Sequence, residues 1–288
     1  MRRRFTIHKD FTKPININNY LTIEASEDGL TASLSINACR YCVDGDGNWK
    51  TLLAGTATES INSGHTLSFK GNLTPIKLYG IGTFTINKKC NLKGNCMSML
   101  FGDNAADNYS LSSKDYAFHN LFGGCRNIVN VNSNFLPATT LAKYCYNDMF
   151  SNCTSLTTAP ALPATTLAGG CYSGMFNNCT SLTTAPALPA TTLANYCYQY
   201  MFNGCTKLTT APALPATTLT NSCYSYMFRN CTSLNYIKCL ATDISATDCT
   251  KNWVSGVAST GTFVKNPDMA SWPTGDNGIP EGWTVQNA

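Results

Sequence analysis

The chain has 288 residues, of which 12% are charged and 43% hydrophobic, with a formal net charge of +4. So little positive charge over that length gives no electrostatic basis for binding nucleic acid, and no run of about 18 apolar residues is present to cross a membrane. Length alone allows one large domain or two ordinary ones.

Residues 1–17 read as an N-terminal tail. Met1 opens MRRRFTIHKDFTKP, in which a basic start is followed by His8, Lys9, Asp10 and Lys13 where a secretory signal needs an apolar stretch. No signal peptide is expected, and Arg2, Arg3 and Arg4 read as a solvated chain end. The expectation is that the protein either stays inside a cell, in the cytoplasm, or is released to the extracellular surface by a route that needs no signal, such as lysis.

Residues 18–87 read as a small all-β domain, a sandwich. Apolar and polar residues alternate over 21–25, 31–36, 66–69 and 82–86, and the stretches are separated by Asp28-Gly29, Asp44-Gly45, Asp46-Gly47 and Gly71-Asn72. Cys39 and Cys42 form a C-x-x-C, but in a strand-like context rather than at the start of a helix, where redox pairs sit. Structural cysteines or a local disulfide fit better than zinc, whose further ligands would have to be Cys90 and Cys96 at an unsuitable spacing. Asp44, Asp46 and Asn48 resemble the opening of a calcium loop, yet Trp49 and Gly55 stand where that loop needs glycine and glutamate. A hairpin turn is the expectation there.

From Leu136 the segment LPATTLAKYCYNDMFSNCTSLTTAPA returns, lightly edited, at Leu162, Leu188 and Leu214, giving four copies with a period of 26 residues. A fixed period of that length implies a solenoid, because one unit cannot bury its apolar face alone. In each unit Leu141, Cys145, Met149 and Cys153 recur at steps of four, with Phe150 beside them, the pattern of a short helix on the convex side. Leu156, Ala159 and Ala161 then match the inner positions of a leucine-rich repeat strand, closed by Pro160 and Pro163. Flanking units keep the register through Ile128, Val131 and Ser133 and through Leu234, Ile237 and Cys239. Upstream, Tyr116, Phe118, Leu121 and Phe122 before Cys125, and Met97, Met99, Leu100 and Phe101 after Cys96, supply two irregular coils. The expected fold class is therefore an α/β solenoid: a leucine-rich repeat array of 26-residue units over 88–240, preceded by the β domain and closed by a C-terminal cap over 241–288. Trp253, Trp272 and Trp283 suit that cap.

Most of the fifteen cysteines follow the repeat, as Cys145, Cys171, Cys197, Cys223 and Cys249 and as Cys153, Cys179, Cys205 and Cys231. Eight residues apart on a helix is about 12 Å, too far to bridge, so free thiols filling a core are expected. The same phase accounts for the Asn-Cys-Thr triplets at Asn152, Asn178 and Asn230, which match a glycosylation sequon. Tyr146, Tyr172, Tyr198 and Tyr224 form a ladder that either packs between coils or presents a binding row, joined by Tyr144, Tyr196, Tyr200 and Tyr226. Alternation on the strand turns Thr158, Pro160, Thr184, Pro186, Thr210, Pro212, Tyr236 and Lys238 outward, and these are the candidate binding residues of the concave face.

Catalysis is not expected. Between residues 136 and 235 the only carboxylate is Asp148 and there is no histidine, while His8, His65 and His119 lie in separate modules. No cofactor or metal site is expected either.

The motif LPATTLxxxCYxxMFxxCTSLTTAPA resembles the BspA-like leucine-rich repeats of surface proteins of Bacteroides-type gut bacteria and some of their phages. IKCLATDIS from Ile237 and GIPEGWTV from Gly278 are similar to the ends of such proteins. The resemblance implies non-enzymatic recognition or adhesion, with a host-surface protein or glycan as partner. The start of the chain departs from that family's lipoprotein or secretory leader. The alternative is a phage tail or fibre component, attached by its β domain to a virion partner or to further copies of the chain.

Overall fold

A computed structural model describes residues 14–288; Arg2, Arg3, Arg4, His8 and most of the expected tail lie outside the described residues. Among the described residues, helix is confined to the single turn α1 (Ser98–Phe101) and short 3-10 turns, and no helix is long and apolar enough to cross a membrane.

The strands are β1 (Leu21–Ala25), β2 (Ala32–Leu34), β3 (Cys39–Val43), β4 (Lys50–Leu52), β5 (Thr66–Lys70), β6 (Phe84–Ile86), β7 (Cys90–Gly94), β8 (Ile128–Val131), β9 (Tyr236–Cys239), β10 (Thr262–Lys265) and β11 (Thr284–Asn287). Each of the four alternating stretches read from the sequence holds a strand. A six-stranded sheet runs β4-β3-β5-β1-β7-β8, antiparallel as far as β7 and parallel between β7 and β8. Its central strand β1 is covered on both faces, so the hydroxyl of buried Thr22 is satisfied within the sheet by Ser68 Oγ at 2.9 Å. Strands β2 and β6 make a separate ribbon whose Phe84 meets Phe69 of β5 edge-on at 5.1 Å. Because β7 pairs with β1 on one side and β8 on the other, the expected boundary at 87/88 lies inside one continuous hydrogen-bonded sheet.

In the repeats the expected helix is not formed. Residues 142–153 are a ribbon of successive turns, in which Cys145, Asn147, Met149, Ser151 and Cys153 each donate their N–H three residues back. The intervening residues donate to the next layer instead: Tyr144 to Gly169, Tyr146 to Cys171, Asp148 to Ser173, Phe150 to Met175 and Asn152 to Asn177. An α-helix uses its interior N–H groups internally; this ribbon leaves every second one free to join layers. Every fourth residue, Tyr144, Asp148 and Asn152, has a positive φ of 54°, 53° and 61°. The resulting period is four residues, so the buried pairs Cys145/Tyr146 and Met149/Phe150 keep one direction, whereas a helix of 3.6 residues per turn would rotate them away.

Side chains stack in register from layer to layer. Phe84, Phe122, Phe150, Phe176, Phe202 and Phe228 form one column at 5.4–5.8 Å. Phe118, Tyr146, Tyr172, Tyr198 and Tyr224 form a second at 5.6–6.1 Å. Both reach Trp253, which lies 6.2 Å from Tyr224 and from Phe228. Complete burial of each phenylalanine ring contributes roughly 1.5–3 kcal/mol.

On the opposite side the middle copies form only isolated parallel bridges, such as Thr158 with Thr184 and Thr166 with Thr192, while β8 and β9 at the two ends are true strands. Pro160, Pro186 and Pro212 stand where Val/Ile-bearing β8 and β9 have donors, and proline cannot join a ladder. The inner positions also differ from expectation. Leu156 and Leu162 are buried, whereas Ala161 is exposed, as is its counterpart Ser133; only Cys239 turns inward at that position.

Layering continues past residue 240. Tyr224, Tyr226, Phe228 and Asn230 donate to Cys249, Lys251, Trp253 and Ser255, and β10 lies parallel to β9 with Thr262 opposite Tyr236. The expected cap thus begins with a further layer. The closure proper is Trp272, stacked on Trp253 at 5.8 Å, and Trp283, whose Nε1 donates to the Ala258 carbonyl at 2.7 Å.

Candidate functional site

All fifteen cysteines are buried and unbridged in the structure. Cys153, Cys179, Cys205 and Cys231 each place Sγ at 3.0–3.2 Å from the carbonyl of a phenylalanine one layer earlier, so a small apolar side chain also supplies a donor to the core. Burial pushes the thiols of Cys145 and Cys231 up to about 12. Cys39 and Cys42 behave likewise, pushed by burial to about 12 and about 11, the opposite of what a reactive thiol needs. Asp44 accepts from the Thr66 N–H at 2.9 Å and lies 2.6 Å from His65 Nδ1, which makes it a fastening of the hairpin. Among the described residues no group of three or more His, Cys, Asp or Glu side chains is placed to hold a metal ion. His119 and Asp148 are brought near one another: burial pushes the Asp148 carboxyl up, against the opposing charge of His119.

Of the candidate binding residues, Thr158, Thr184 and Thr210 are exposed in one row, and Tyr236 and Lys238 are half-buried on β9. The prolines do not share that face. Pro160 and Pro212 are buried and Pro186 is half-buried, because without an extended strand the inside-outside alternation fails after the threonine. The tyrosine ladder divides. Tyr146, Tyr172, Tyr198 and Tyr224 are core, their hydroxyls held well above the ordinary tyrosine range by burial. Tyr144, Tyr200 and Tyr226 are half-buried on the outer face of the ribbon, and Tyr196 is 41% exposed there.

That outer face carries a second signal. Comparing the first three copies, seven positions differ; six lie in the ribbon between the invariant core pairs, at 143, 144, 147, 148, 151 and 152 of the first copy, and the seventh is 155, where Ser155 and Ser181 give way to Lys207. The threonine row is identical in all three. At position 144 the copies hold Tyr144, Gly170 and Tyr196, and at 148 they hold Asp148, Gly174 and Tyr200. Both positions have positive φ, 62° at Tyr196, 57° at Tyr200 and 58° at Tyr226. Glycine takes that conformation freely and asparagine readily; a bulky side chain there is strained. Each such side chain leans over the next layer. A Cβ at Gly170 would lie 2.3 Å from the Tyr144 ring, and one at Gly174 would lie 2.1 Å from Asp148 Oδ1, so the glycines make room for their neighbours. Tyr200 and Tyr226 stack at 4.6 Å, with the Arg229 guanidinium 5.7 Å from the Tyr226 ring. The sequence signal that locates this face is the difference between copies, read against their common core.

Compared with protein-family models, with curated proteins and with solved structures, the chain matches none.

Proposed function

We propose that this chain is a non-enzymatic recognition module, a leucine-rich-repeat-type solenoid of the kind the BspA-like resemblance implies, which docks on a host-surface protein or glycan. The observation that carries the reading is that six of the seven positions at which the first three copies differ lie in the ribbon. Tyrosines stand there at strained backbone positions where a sister copy has glycine, and strain retained at an exposed position points to a task for the side chain. Tyrosine with asparagine, serine and glycine is also the composition that binding loops use, since tyrosine offers large contact area at low entropic cost. The threonine row, identical in the first three copies, is the competing surface.

Flow cytometry of the labelled chain on intact epithelial and bacterial cells tests this. Tyr196→Gly with Tyr200→Gly should abolish binding and leave the fold intact, while Thr184→Arg with Thr210→Arg should not. Loss only in the threonine variant would return the site to the concave row, and no binding to any cell would overturn the recognition reading.

A second reading, a phage tail or fibre part attached by its β domain, draws on the distribution of exposed apolar side chains. Five of the eight large ones among the described residues, Ile36, Leu53, Ile76, Leu78 and Tyr79, lie before the array.

A further inference from the structure

The hairpin containing Ile76 and Gly80, which bridge to one another, lies against the first turn ribbon. Glycine permits that approach, because a Cβ at Gly80 would sit 2.8 Å from the Tyr116 carbonyl oxygen. Between hairpin and ribbon opens a cleft of about 520 Å³, lined by Lys77 from the hairpin, Lys114, Asp115 and Tyr116 from one layer, and Lys143 and Tyr144 from the next.

Three lysines and one carboxylate line the cleft, with Lys114 Nζ 5.8 Å from the Phe101 ring. Among the described residues none of the three lysines has an ion-pair partner, although Lys50, Lys70, Lys93 and Lys251 elsewhere are each paired with an acid. Asp115 is engaged otherwise: its Oδ1 accepts the Lys143 backbone N–H at 3.1 Å. The same two layers are joined by the Tyr116 N–H to the Lys143 carbonyl at 2.9 Å, so the lysine-bearing backbone is held in place. Tyr116 and Tyr144 stack at 5.1 Å with 13° between their planes and form one aromatic wall. Both are again tyrosines at positive φ, 59° and 54°.

Uncompensated positive charge in a concave site selects an anion. Paired tyrosine rings give the weakly apolar face of a sugar ring a surface to lie on. The volume falls in the range of small-ligand sites, roughly 300–1,000 Å³. The lining of lysine, tyrosine, threonine, serine and proline offers no channel for an acyl chain, which disfavours a phospholipid. We propose that this cleft binds an acidic saccharide, with Lys77, Lys114 and Lys143 holding its carboxylate or sulfate and Tyr116 and Tyr144 lying against its ring. The inference rests on the recognition reading and assigns it one ligand class.

Isothermal titration of the full chain at low ionic strength with an oligogalacturonate, a heparin-derived tetrasaccharide and neutral maltotetraose tests it, and separates carboxylate from sulfate as the source of the charge. At least one acidic probe should bind, more weakly as salt rises, and maltotetraose should not. Lys114→Glu with Lys143→Glu should lower the affinity at least tenfold, and Tyr144→Gly, which copies the residue at Gly170, should lower it without changing the salt dependence. Lys88→Glu with Lys89→Glu, at exposed positions outside the cleft, should bind as the parent does. Absence of binding to both acidic probes, equal loss in the Lys88/Lys89 variant, or binding only to phosphatidylserine vesicles would overturn the proposal. Cell binding that survives alongside such a failure would leave the recognition reading standing without this cleft.

Discussion

The two sides of each repeat are built from the same 26 residues and follow different rules. On the ribbon side, alternate N–H groups close turns and the others reach the next layer, so the backbone is satisfied whichever side chains point outward. There the copies vary. On the threonine side, prolines remove donors and leave isolated bridges, and the copies are identical over the first three units. The lesson is that regular strand is not what joins these layers. The hydrogen bonds that do so come from a segment with neither helix nor strand, and that independence from side-chain identity is what frees its surface to diversify.

Alkali should have the largest effect, because in the repeats most of the titratable core groups, Cys239 on β9 apart, lie on the ribbon side. Burial raises the folded-state values of Cys145 and Cys231 to about 12 from the usual 9.0. Their stabilising contribution is complete below pH 9, where the thiols are protonated in both states. It is lost as pH rises from 9 toward 12, because only the unfolded chain then releases the protons. Each thiol removes about 1.4 kcal/mol per pH unit in that window, so thermal melts should be level from pH 6 to 8 and collapse above pH 9. A melt unchanged at pH 10.5 would mean the thiols are not buried.

Single substitutions sharpen the contrast at smaller scale. Leu182→Ala should destabilise by about 2–5 kcal/mol, the range for truncating a buried leucine, while its exposed neighbour Thr183→Ala should change little. Equal effects in urea melts would refute the register. The smallest effect has the opposite sign. Tyr196→Gly should raise stability by about 1 kcal/mol, since the left-handed conformation costs a non-glycine residue roughly that much; a loss of similar size would show that the tyrosine is held by packing rather than tolerated under strain.

Layering and core were legible from the sequence because a fixed period with apolar residues in constant phase has one economical explanation. Leu156, Met149, Phe150 and Cys153 are all buried as that phase requires. The helix was misread because spacing of four suits both a helical face and a four-residue turn ribbon; the adjacent pairs Cys145/Tyr146 and Met149/Phe150 distinguish them, since two neighbours cannot both hold one direction along a helix for long. The outward prolines were misread because strand alternation was extended through residues that cannot sustain a strand. Nothing local announces the cleft, as it assembles Lys77, Lys114 and Lys143 from three distant segments.

The lean of each outer side chain over the following layer has a consequence for how such a gene can change. On the ribbon side the layers from 142 to 230 meet through the same backbone bonds at each junction, so a duplication or deletion of one whole repeat unit leaves that part of the join chemically unaltered. What must match are the neighbouring pairs at the outer positions, a large residue such as Tyr144 followed by a small one such as Gly170, or two rings able to stack as Tyr200 and Tyr226 do. Unequal recombination would thus lengthen or shorten the array like a ruler, moving its outer tyrosines away from the N-terminal sheet by one layer at a time, with selection acting on compatibility at the seam.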